Sequence, residues 1–271
     1  MALIPGVLPL YDVNAAPLVP QAETAEWIAR QVDDRDIGKD GRFEMKMRLF
    51  DRQQRVRERE LTIQTMRPQP KAGERPKGTA AGDRILIRFT YPNDIKGTAF
   101  LVWEHPEGED ERFLYLPALG RVRRITGAES QDNFVGSDFT YEDISGRELD
   151  KYTYNMVEQN ETWTGPDGKM VPVSRIESRA KNAQARFPRI VSTVRKDNFV
   201  VVHADIYNRR NEKEKVYEVK RLDLVQSIWT LSEIVMTDLG ARTHTELSVT
   251  NVRYNTGLKE DDFSRRELER K

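Results

Sequence analysis

From Phe43 onward the chain keeps a period of two. Met45, Met47 and Leu49 interleave with Glu44, Lys46 and Arg48, as a strand with one buried face requires. A second strand-like segment, 57–63, follows across the polar stretch Asp51-Arg52-Gln53-Gln54. Further ones recur at 84–91, 99–104, 112–116, 121–126, 152–158, 171–178, 190–194, 199–208, 215–222, 227–236 and 242–254. Gly165-Pro166-Asp167-Gly168 and residues 208–211 read as hairpin turns, because Gly, Asn and Asp tolerate positive φ. Helical period is confined to residues 23–33, where Ala25, Ile28, Ala29 and Val32 fall on one face, with Gly38 and Gly41 expected to end it. A meander of about 11 to 13 strands with so little helix to cover it must curl on itself or leave an apolar face bare. The expected fold is mainly β, a half-open antiparallel β-barrel with helices covering the concave mouth. No repeat of fixed period argues for a propeller or solenoid.

Composition narrows the function. Hydrophobic residues form 38% of the chain, enough for a core. The 44 basic and 44 acidic residues leave no net field to draw nucleic acid. There is no cysteine, which removes disulfides and thiol chemistry. No apolar run approaches the ~20 residues a spanning helix needs, so the protein is expected not to be integral to the membrane. Residues 1–20 hold an apolar stretch broken by Pro5, Gly6 and Pro9, then Val13-Asn14-Ala15-Ala16, which suits a shortened export signal or a flexible arm. Residues 21–271 are expected to form a single β domain, with the Pro- and Gly-rich stretch Pro68 to Gly82 as a mobile loop.

No catalytic residue, metal site or cofactor emerges. His105, His203 and His244 are isolated in sequence, and no nucleophile-elbow, phosphate-loop or dinucleotide pattern occurs. Glu142-Asp143 could be imagined as a hydrolase pair; the blander reading is surface acids on a short helical turn capped by Ser137 or Asp138. Arg121, Arg123 and Arg124 could grip anionic head groups or pair with acids on a neighbouring strand. Residues 85–87, 113–116 and 200–202 are apolar on both faces. They either pack on both sides or line a cavity for a hydrocarbon chain, worth roughly 0.8 kcal/mol per buried CH₂.

The stretch 96–144 contains Lys-Gly-Thr-Ala-Phe-Leu-Val-Trp-Glu-His-Pro, then Phe-Leu-Tyr-Leu-Pro-Ala-Leu-Gly-Arg-Val-Arg-Arg-Ile, then Gly-Ser-Asp-Phe-Thr-Tyr-Glu-Asp-Ile. With Val32-Asp33-Asp34-Arg35-Asp36, Arg253-Tyr254-Asn255-Thr256-Gly257-Leu258 and residues 263–270, it closely resembles the outer membrane lipoprotein-sorting protein family, related in fold to the LolA and LolB carriers. The resemblance implies an unclosed barrel, a periplasmic location, lipid or lipoprotein cargo, and an inner-membrane transporter of the resistance-nodulation-division type as partner. The cargo could equally be a hopanoid, a sterol-like lipid or another membrane lipid. On this reading Met47, Leu49, Ile87, Phe89, Phe100, Val102 and Tyr115 line the cavity. Arg121, Arg124, Asp138, Phe139 and Tyr141 form its rim or lid. The rival reading is a periplasmic lipid- or protein-sensing module without transport, as in a related regulator of envelope stress.

Overall fold

The computed structural model describes residues 23–68, 82–105 and 108–270. The export-like segment 1–20 and most of the loop Pro68 to Gly82 lie outside the described residues.

Helix α1 (Ala25–Asp34) is capped by Thr24, whose hydroxyl accepts the Trp27 N–H at 3.1 Å. It stops at Asp34, four residues before Gly38; Gly38 (φ +76°) instead turns the chain into the sheet, and Gly41 lies inside the first strand. The strands are β1 (Asp40–Phe50), β2 (Val56–Met66), β3 (Arg84–Tyr91), β4 (Ala99–Trp103), β5 (Glu111–Leu116), β6 (Arg121–Ile125) and β7 (Tyr152–Thr164). They continue with β8 (Met170–Ala180), β9 (Arg189–Arg195), β10 (Val201–Tyr207), β11 (Lys213–Val225), β12 (Ile228–Asp238) and β13 (Thr243–Tyr254). Two short helices complete the set, α2 (Tyr141–Ser145) and α3 (Arg265–Leu268).

All thirteen strands form one antiparallel sheet in the order β6-β5-β4-β3-β2-β1-β13-β12-β11-β10-β9-β8-β7. The edge strands β6 and β7 have no ladder between them, so the barrel stays open. The thirteen strands stand at the upper end of the eleven to thirteen expected, the first two segments joining the eleven later ones. Strand β7 outruns its expected end at 158 because register shifts between Met156 and Glu158, and between Glu158 and Glu161, break the alternation that marks a strand in sequence.

Register divides the sheet into two faces. On the concave face Met47 and Leu49 stand beside Leu247 and Thr245, Ile87 beside Phe100, and Tyr217 beside Met236. The α1 residues Ala25, Ile28 and Ala29 pack with Ile176 and Val194. The rest of this face is covered by the long connection from β6 to β7. On the convex face the C-terminal stretch lies over β3 to β5, burying Leu258, Phe263 and Leu268 against Leu86, Leu101 and Phe113. Trp103 Nε1 donates to the Phe263 carbonyl at 2.7 Å. Arg88 donates to the carbonyls of Glu267, Leu268 and Arg270, taking up the unpaired groups at the end of α3.

Candidate functional site

Residues 126–151 leave one sheet edge and join the other, so they must cross the concave mouth. They do so as a plug. Phe134, Phe139 and Tyr141 are buried in the same cluster as Met47, Leu49, Ile87, Phe89, Phe100 and Val102. The Phe134 ring centroid lies 5.4 Å from Phe100, 5.9 Å from Phe89 and 5.4 Å from Tyr141, an aromatic stack at the centre of the concavity. Between plug and strands, the gap lined by Thr140, Phe187, Ile190 and Lys215 is only about 10 Å³. Ligand sites usually run to ≈ 300–1,000 Å³, so the plug leaves no room of that size here.

Five polar contacts hold the plug's tip, one of them the Asp138 N–H donating to the Thr245 hydroxyl at 3.0 Å. The Asp138 carboxylate accepts from the hydroxyls of Thr243 and Thr245 at 2.5 and 2.6 Å. Its carbonyl accepts from Lys215 Nζ at 2.5 Å. Lys215 is 0% exposed, and burial pushes its ammonium below the usual lysine range. Arg59 donates to the Val135 carbonyl at 2.6 Å, and burial likewise lowers its guanidinium. Val135 itself sits at φ +46°, a left-handed conformation that costs a β-branched residue of order 1–3 kcal/mol.

The base of the plug is fixed differently. Arg112, 2% exposed, pairs with Asp110 at 2.8 Å and with Glu148 at 3.4 Å, and donates to Ser145 Oγ at 2.9 Å. This buried cluster ties β5 to the end of α2 and to the turn after it. Helix α2 is capped by Thr140, with Asp143 closing a capping box, rather than by Ser137 or Asp138. The expected surface acid Glu142 is buried and accepts from Tyr152 Oη at 2.8 Å.

Of the seven residues expected to line a cavity, six share the concave face. Tyr115 does not: its Cα partners are Ala99 and Val122, and it packs on the convex cluster with Phe113 and Leu101. Within Phe113-Leu114-Tyr115-Leu116 every residue is apolar, so alternation gives no parity signal there. Of the expected rim, Phe139 and Tyr141 are interior, and Asp138 is a latch residue. Arg121 and Arg124 point to opposite faces of β6, paired with Leu116 and Phe113 respectively, so they form no joint grip. Sequence reasoning missed Lys215, Arg59 and Arg112. For Lys215 and Arg59 the signal was parity, since each lies on the apolar face of its strand; Arg112, in a strand apolar on both faces, had none.

The three histidines lie apart, His105 beside Glu111, His203 beside Asp205 and His244 stacked on Phe50 at 4.1 Å. Among the described residues no group of three or more candidate metal ligands occurs, and no helix is long and apolar enough to cross a membrane. A separate cleft of about 280 Å³ lies on the convex face among polar residues including Arg175, His203 and Asp205.

Near the plug's base, Glu104 is a titratable strain point. Burial, then the charge of Asp83, raises its carboxyl to about 8, although the Asp83 N–H donates to it at 2.9 Å. The folded protein therefore holds this proton where the unfolded chain, near 4.5, has released it. Stability contributed by the protonated form is present at low pH and is lost as pH rises from about 4.5 to about 8. Glu104→Gln, a mimic of the protonated acid, is expected to gain melting temperature over the parent progressively across that window and to hold the gain above it. Melting curves of both proteins between pH 5 and 9 check this; parallel curves would remove the buried proton.

An unclosed antiparallel barrel whose apolar concave face is filled by one connection of the chain is the fold class of the LolA-like β domains. A family model described as "Uncharacterized protein" matches residues 81–270, more than half of the chain, and the chain belongs to that family. A solved domain described as an outer membrane lipoprotein-sorting protein domain, from Vibrio parahaemolyticus, superposes with a TM-score of 0.78 at 29% identity, covering 91% of this chain and 98% of its own. A DUF1329 family protein from Desulfovibrio piger ATCC 29098 gives 0.77 at 27% identity, covering 90% and 97%. A LolA superfamily protein from Nitrosomonas europaea gives 0.66 at 14% identity, covering 91% and 100%, a likeness of fold alone. No curated protein matches the chain.

Proposed function

We propose that the protein is a periplasmic, non-enzymatic carrier that binds a lipid or lipoprotein acyl chain on the concave face once the plug swings out, and moves it between envelope membranes. The observation that carries this is the nature of the filling: one connection of the chain, latched at its tip by a few polar contacts, covers a continuous apolar floor. Met47, Leu49, Ile87, Phe89, Phe100 and Val102 form that floor in the reading.

Magnitudes favour exchange. Burying Phe134, Phe139 and Tyr141 stabilises the closed state by roughly 1.5–3 kcal/mol each. An acyl chain of about fourteen methylenes brings on the order of 11 kcal/mol. The left-handed Val135 also favours release of the tip. Similarity to the solved outer membrane lipoprotein-sorting protein domain supports periplasmic residence and acylated cargo. The transporter partner that the sequence resemblance implies finds no support in the relatives compared, and the reading does not depend on it.

Mass spectrometry of lipids extracted from protein purified out of a native periplasmic fraction tests the proposal. A lipid bearing an acyl chain or fused rings, near one per protein, is the expected result. Lipid-free protein that also takes up no fluorescent lipid would move the assignment to a sensing module.

A further inference from the structure

Because the sheet is a continuous up-and-down array, its turns alternate between two ends. Six of them, at 51–55, 92–98, 117–120, 181–188, 208–212 and 239–242, line one end from β6 round to β8. They carry eight Lys or Arg against three Asp or Glu, in a chain whose net charge is zero. Arg52, Lys96, Lys181 and Arg242 are exposed there and hold no ion pair among the described residues. At the opposite end the β4–β5 turn holds Glu104, Glu109 and Asp110.

The same basic end displays large apolar side chains. Val56 is 42% exposed, Tyr91 52%, Leu119 57% and Leu239 47%, and all four stand in or beside its turns. Leu224 and Met170 are also exposed, but at the other end, beside turns without a basic excess. Cationic side chains interleaved with exposed aromatic and aliphatic tips match an anionic bilayer surface: the charges meet lipid phosphates while the tips enter the interfacial layer. The plug's latch lies at this end too, since Thr243 opens β13 and Lys215 lies near the start of β11.

We propose that this end of the half-barrel docks on an anionic phospholipid bilayer, bringing the latched tip of the plug to the membrane surface. The proposal deepens the carrier reading, since a carrier must meet the membrane that supplies or receives its cargo. It rests on its own observation, the segregation of charge and apolar tips to one row of turns.

Co-sedimentation with vesicles tests it, using phosphatidylglycerol mixed with phosphatidylcholine in about equal parts against phosphatidylcholine alone. Binding is expected to the anionic vesicles only and to weaken as salt is raised. The triple variant Arg52→Glu, Lys96→Glu, Arg242→Glu, altered only at exposed turn positions, is expected to partition about a hundredfold less. Leu119→Ser with Tyr91→Ser should also lower binding, whereas Leu224→Ser with Met170→Ser should not. Equal sedimentation on both vesicle types, or an unaffected triple variant, overturns docking. Absence of all vesicle binding also overturns it and leaves the basic end to an acidic protein. Lipid uptake is scored separately, as fluorescent lipid in the supernatant. Sedimentation without uptake leaves docking standing and removes the carrier reading; uptake without charge-dependent sedimentation does the reverse.

Discussion

Oxidation of the double variant Asp138→Cys, Thr245→Cys is expected to lower fluorescent-lipid uptake by more than tenfold, and reductant is expected to restore it. The Asp138 carboxylate and the Thr245 hydroxyl are 2.6 Å apart, and the Asp138 N–H donates to the same hydroxyl at 3.0 Å. Side chains in such contact stand where a disulfide can close without a large backbone shift. The chain has no cysteine of its own, so the introduced pair has no competitor. Locked, the plug keeps Phe134 against Phe89 and Phe100, and the floor stays covered. Reduced, the variant has lost the carboxylate that Thr243 and Thr245 hold, so it should load at least as readily as the parent. Loading of the oxidised protein at the parental rate would show that cargo enters elsewhere or not at all.

Arg112→Met is expected to cost about 3–5 kcal/mol in urea unfolding, the range for breaking a buried ion pair from one side. The guanidinium is 2% exposed and faces Asp110, Glu148 and Ser145. Without it two carboxylates are left in a poorly solvated site, where burial and the Glu148 charge already raise Asp110. Adding Asp110→Asn and Glu148→Gln should recover much of the loss, because the uncompensated charge goes with them. A loss below about 1 kcal/mol would mean that water reaches the cluster. The carrier proposal needs this pin: with the base of the plug fixed to β5, motion is confined to the tip around Val135 and Asp138.

The fold was legible wherever one face of a strand was charged. Glu44, Lys46 and Arg48 on one side and Met45, Met47 and Leu49 on the other leave a single parity, and the segment 84–91 matches β3 at both ends. Where both faces are buried, as across Phe113 to Leu116, parity fell silent and Tyr115 was assigned to the wrong side. The latch was illegible for another reason. A short stretch such as Ser137-Asp138 is a good cap in isolation, and only the sheet brings Thr243, Thr245 and Lys215 to it from far along the chain. Of the aromatic plug residues, Phe139 and Tyr141 drew attention as a cluster, expected at the rim, and Phe134 at the centre of the stack did not. Their place in the interior depended on a connection that spans both sheet edges, which no local pattern records.

That connection gives the strand order a further meaning. Strands β1 to β6 form one run of neighbours in sequence, β7 to β13 another, and the two runs share a single ladder, β1 with β13. Each run can assemble from local hairpins, with loop closure across the chain deferred to one late seam. The molecule is thus two leaves of a book: the β1–β13 ladder is its spine, and residues 126–151 are a ribbon tied between the outer margins. Parting the outer margins would draw the ribbon's two ends apart, so the width of the concavity and the lie of its filler are linked through one covalent segment.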